Sequence, residues 1–140
     1  MTNNIQIAIK EANTSLPQRK LDELIERTNL SADMKALLSD IAKITVKVTG
    51  KIISIGRKVL SVVFEFVKLF PGITLGVIAA LVITAIIASV PVIGGVLAGA
   101  LSSILLLIGV GKGALLDLTN SSLNQKIDNF IASIAALKDA

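Results

Sequence analysis

Few residues in this chain are equipped for chemistry, and the nearest thing to a motif is Gly109-Val110-Gly111-Lys112-Gly113. A glycine loop cradles phosphate when another Gly stands five residues before the Gly-Lys pair and a Ser or Thr follows the Lys. Leu106 and Gly113 occupy those two positions, so the run reads instead as a glycine-rich exit from an apolar segment, with Lys112 at the interface. Asp22, Glu23 and Glu26 lie close in sequence, but Arg19, Lys20 and Arg27 surround them. That pattern predicts a solvated, ion-paired helix face rather than a carboxylate metal site. The chain has no Cys and no His, which removes thiolate nucleophiles, disulfides, cysteine metal sites and the commonest neutral-pH general base. Its serines therefore have no His to activate them. The expectation is a protein that is not an enzyme and holds no cofactor and no metal.

Composition points elsewhere. Of 140 residues, 53% are hydrophobic and 17% charged, against about 25% charged in ordinary globular domains; mean hydropathy is +0.79. The 43 residues from Leu69 to Gly111 carry no ionisable side chain. A membrane pass needs about 20 apolar residues, and one straight helix of this length would run about 64 Å, twice the acyl thickness. The segment must fold back, and Ser89 to Gly95, with Pro91, Gly94 and Gly95, is the place. The predicted passes are about Ile73 to Ala88 and about Val92 or Gly95 to Gly111. Nine strongly apolar residues between Ile73 and Ile87 contribute roughly −3 to −5 kcal/mol on an insertion scale.

Lys51, Arg57, Lys58 and Lys68 precede the first pass, Lys112 and Lys126 follow the second, and the turn is uncharged. Positive flanks stay in the cytoplasm, so the expectation is a bacterial inner-membrane protein with both termini cytoplasmic and the turn on the far side. Residues Met1 to Leu30 lack the charged start and apolar run of a signal peptide, and cytoplasmic synthesis followed by insertion is expected.

Before the hairpin, Leu37, Ile41, Ile44, Val48, Ile52, Ile55, Val59, Val62, Phe66 and Leu69 recur at spacings of three and four. This periodicity predicts one long basic amphipathic helix over 32–70, its apolar stripe about 100° wide. Lys43, Lys47, Lys51, Arg57, Lys58 and Lys68 fall on another arc, and seven basic residues against two acidic ones between Met34 and Phe70 exceed the whole chain's net charge of +4. Such a helix lies on anionic lipid headgroups, packs its stripe against other helices of this chain or of neighbouring copies, or presents a solvated face. With Tyr and Trp absent, stacking platforms for bases are lacking, and no nucleic-acid partner is expected. Gly50 and Gly56 weaken the helix and mark bends.

Small residues form two ladders, Gly72, Gly76, Ala80, Thr84 and Ala88 on the first pass and Gly95, Gly99 and Ser103 on the second. In lipid, helices associate by close packing along such faces, so the ladders either join the two passes or join copies in a homo-oligomer. The polar segment 1–31 holds a short helix from Pro17 to Asn29, and Ser31 is the predicted N-cap of the long helix. Asn4 to Lys10 fits strand and helix equally. In 112–140, Ser122-x-x-Gln125 reads as a capping box ahead of Leu123, Ile127, Phe130, Ile134 and Leu137. The fold class is thus all-α, an integral membrane hairpin of two transmembrane helices (71–111, turn near 89–95) between a long basic helix and a short amphipathic one.

Basic amphipathic helices around an uncharged hairpin, here Phe70 to Gly111 and the helix before it, resemble in outline the membrane-inserting core of pore-forming colicins. This chain is shorter than such a domain, and the resemblance transfers no functional residue. Conjugative pilins are also small hydrophobic hairpins, with a turn that is often basic where this one is uncharged. The expected function is a self-associating, pore-forming or membrane-permeabilising homo-oligomer. A path lined by Lys43, Lys47, Lys51 and Lys58 would favour anions. The alternatives are a non-conducting, pilin-like structural subunit of a lipid-associated polymer and a membrane-shaping hairpin.

Overall fold

Caps and breakers divide the chain into short helices. The computed structural model describes residues 2–109 and 120–139. Helix α1 spans Thr2–Asn13 and buries Ala8, Ile9 and Ala12, which resolves Asn4 to Lys10 as helical. Pro17, extended at ψ 157°, precedes α2 (Gln18–Glu26), and Leu21 and Ile25 are its buried face. Ser31 caps α3 (Ala32–Ala42), its hydroxyl accepting from the Met34 N–H at 3.1 Å.

The predicted 32–70 helix is not continuous. β-Branched residues occupy seven of the ten positions from Ile44 to Ile53, and such side chains favour extended backbone. Strands β1 (Val46–Val48) and β2 (Lys51–Ile53) pair antiparallel here, with Lys47 opposite Ile52 and Val48 opposite Lys51. Thr49 at φ 51° and Gly50 at φ 79° form the two-residue turn, the left-handed pair that matches strand twist in tight hairpins. Helix α4 (Ile55–Leu69) then begins hard against the end of α3. A Cβ on Gly56 would collide with the Ile41 carbonyl oxygen, and the Gly56 N–H donates to Ile44 O at 2.9 Å. The glycines thus mark a turn and a close helix contact rather than bends in one rod.

Thr74 caps α5 (Leu75–Ser89), and Val90 alone separates α5 from α6 (Pro91–Ile108). Pro91, with no N–H to waste, starts α6, and Gly109 ends it in the left-handed conformation at φ 70°. Helix α7 (Ser121–Ile134) is capped by Asn120, whose side chain accepts from the Ser122 and Leu123 N–H groups. That corrects the expected Ser122 capping box: the acceptor lies two residues earlier. Leu123, Ile127, Phe130, Ile134 and Leu137 are all buried, and a 3₁₀ turn (Ala135–Asp139) closes the described chain.

The assembly is all-α apart from the β1–β2 ribbon. Helix α5 lies at its centre, packed by α4, α6 and α7, while α3 lies on α4 and α6, and α1 covers α7 and α4. Buried side chains from every helix join one hydrophobic cluster.

Candidate functional site

The α5–α6 pair is the most apolar part of the described fold, and it holds the 18-residue helix whose composition would suit a membrane. The two helices run antiparallel, because a Cβ on Gly76, near the start of α5, would lie 2.9 Å from Ile108 Cγ2 at the end of α6. Near the turn, a Cβ on Gly94 would lie 2.8 Å from Ile87 Cα. Gly94 thus sits directly against the α5 backbone, and Gly76 against the Ile108 side chain. Ile78 to Ile83 of α5 are all buried.

Helix α6 is different. It is the one described helix long and apolar enough to cross a membrane, with mean hydropathy 2.2 over its 18 residues, yet only 28% of it is buried; α5, at 15 residues, is shorter. Ile93, Gly94, Leu97, Leu101 and Ile104 form its buried arc. At about 100° per residue the opposite arc holds Val92, Gly95, Val96, Gly99, Ser102 and Leu106, all exposed, Leu106 by 83%. A helix apolar all round belongs in a core or a bilayer, and here half of it faces outward.

The small-residue ladders divide accordingly. On the first, Gly76 and Ala80 are buried, Thr84 is half-buried with its hydroxyl donating to Ala80 O at 2.7 Å, and Ala88 is exposed. Nothing lies within 4 Å of a Cβ built on Gly72, Gly95 or Gly99, and Ser103 is half-buried. The second ladder points away from α5, and Gly94, outside the predicted ladders, makes the close approach instead.

The basic residues do not form one stripe. Lys43 ends α3, Lys47 and Lys51 stand on separate strands, and Lys68 nears the end of α4; all four are exposed. Arg57 is half-buried and donates from Nη2 to Ser54 Oγ at 3.0 Å. Lys58 is buried, 7% exposed. Its ammonium donates to Glu11 Oε1 at 2.8 Å and to Thr14 O at 3.1 Å, and lies 5.9 Å from the Phe130 ring centroid. Lys112 lies outside the described residues, as does the glycine run beyond Gly109. Local sequence carries no signal for the Lys58–Glu11 pair, whose partners are 47 residues apart.

Polar contacts also tie α1 and the segment after it to the start and middle of α4. Asn13 Oδ1 accepts from Ser54 N–H at 2.8 Å, and Leu16 N–H donates to Ser61 Oγ at 2.9 Å. A cavity of about 490 Å³ beside these contacts has a mixed lining, with Lys58, Ser61 and Glu65 against Leu24, Val62 and Phe64. Among the described residues, no three of His, Cys, Asp and Glu gather as a metal site. No family model, curated protein or solved structure shows significant similarity to the chain.

Proposed function

We propose that this protein inserts α5 and α6 into a lipid bilayer as a hairpin, self-associates there and permeabilises the membrane. The observation that carries this reading is a 43-residue uncharged segment in which Leu75–Ser89 and Pro91–Ile108 form an antiparallel pair, one helix of which has span-grade length and hydropathy. Both flanks stay on the cytoplasmic side of a bacterial inner membrane, and the Val90 turn crosses. Exposed Lys43, Lys47, Lys51 and Lys68 meet anionic headgroups, each worth about 1 kcal/mol near such a surface. Arg57, Lys58 and Lys112 join them, or a pore lining, once the hairpin is inserted. Gly72, Gly76, Ala80, Thr84, Ala88 and Ser103 serve the close packing of inserted helices, and the open Gly95–Gly99 ridge is where copies meet.

Purified protein added to liposomes loaded with salt and a small dye should release both. Liposomes that stay sealed, with the protein inserted, would remove permeabilisation. The outward-facing Gly95–Gly99 ridge favours a second reading in that event, a non-conducting lipid-bearing assembly, recognised by closed particles without conductance.

A further inference from the structure

We propose that the outward arc of α6 is a lipid-docking face, which lays the still-folded protein flat on an anionic bilayer before the hairpin enters. The inference rests on the membrane reading above and adds the step and the surface that precede insertion. The arc runs the length of α6 and carries no charge and no amide, only Val, Leu, Ala, Gly and Ser. Its largest side chain, Leu106, is 83% exposed.

Size decides between lipid and a second copy as its cover in water. Eighteen residues at 1.5 Å rise, with a helix about 10 Å across, present a face of about 270 Å². A stable protein interface buries about 800 Å² per partner, so a second copy seated on this arc alone falls short. A bilayer has no such limit, because every apolar side chain on the arc enters the headgroup–acyl boundary together. Leu69 is likewise exposed, at 52%. Leu69 ends α4 and Leu106 nears the end of α6, and both ends flank the start of α5. Lys68 stands beside Leu69, and Met34, in the first turn of α3 next to Asp33, reaches within 3.5 Å of a Cβ on Gly76 at the start of α5. Steering by charge there is consequently weak, and the apolar arc supplies the affinity, with the chain's +4 charge favouring anionic lipid.

The absence of native Cys makes the test clean. Single-cysteine variants V92C, V96C and L106C on the arc, with I7C and N129C as exposed controls elsewhere, carry an environment-sensitive fluorophore. They are mixed with vesicles of phosphatidylglycerol and phosphatidylcholine holding shallow or deep quenchers. In the first phase after mixing, the three arc labels should shift to the blue together and respond to the shallow quencher equally, while the controls stay aqueous. Leu106→Glu, at an exposed position that costs the fold little, should weaken vesicle flotation at least tenfold with helix content unchanged. The proposal is overturned, with the membrane reading intact, if the protein floats while the arc labels stay aqueous. A depth graded from position 106 to position 92 in the first phase, or unimpaired flotation of Leu106→Glu, overturns it equally. A blue shift that rises with protein concentration without vesicles assigns the face to a second copy and also overturns it. Failure of the unmodified chain to float overturns both readings.

Discussion

Removing either partner of the Lys58–Glu11 pair should cost unequal amounts, and the inequality arises from which charge has a way back to water. The Lys58 side chain is 9% exposed and that of Glu11 43%. In Lys58→Met the apolar stem is preserved, Glu11 rehydrates, and Thr14 O loses one donor. The loss is a half-exposed ion pair and a hydrogen bond, about 1–2 kcal/mol. In Glu11→Ala the ammonium stays enclosed with Thr14 O and the Phe130 ring as its remaining company. A stranded buried charge costs about 3–5 kcal/mol when fully enclosed, and the residual exposure and carbonyl partner bring this to about 2–4 kcal/mol. Urea unfolding followed by circular dichroism measures both, provided the slope is unchanged between variants. Glu11→Ala should lie below Lys58→Met by about 1 kcal/mol or more. Equal stabilities, or a more stable Glu11→Ala, would refute the claim that burial of Lys58 is what sets the cost. The double variant should recover part of the loss, since it removes the stranded charge.

Glycine substitutions should separate close approach from open face. Gly56→Ala drives a methyl into the Ile41 carbonyl and should lose about 1–3 kcal/mol, whereas Gly99→Ala meets nothing and should gain up to about 1 kcal/mol from helix propensity; thermal melts of the two compare them directly. Gly94→Ala should destabilise by an overpacking cost of about 1–3 kcal/mol against Ile87, measured in the same melts, and a neutral result would mean the α5–α6 contact yields. Asn120→Ala should cost about 1 kcal/mol and raise amide exchange at Ser122 and Leu123, while Ser122→Ala should leave those amides unchanged.

Periodicity made the helices legible, and it misled where two periods coincide. Val48 and Ile52 satisfy the helical spacing that continues to Ile55, yet both belong to the β-branched run around Gly50, where a two-residue turn lets the strands pair. The apolar stripe held good for burial at Ile41, Val59, Val62 and Phe66 although the rod it implied is broken, because core positions are selected by the final packing and not by one helix. Ser31 was readable as a cap because its partner is three residues away. Glu11 was not readable as the partner of Lys58, and neither was Gly94 as the contact with Ile87, because both depend on which elements the tertiary fold brings together. The uncharged segment itself was plain in the sequence. Its division into an enclosed helix and a half-covered one was not, since α5 and α6 are almost equally apolar and only the surrounding helices distinguish them.

A single residue, Val90, joins α5 to α6, with Gly94 resting on Ile87 just beyond it. So short a tether leaves no slack: α6 cannot travel a helix length from its seat without hauling α5 out after it. Since α5 is what α4, α6 and α7 lean on, departure empties the middle, and the helices left behind face a void they have no side chains to fill. On the proposed insertion route a half-opened resting place is therefore not expected, and commitment comes with the first helix to go.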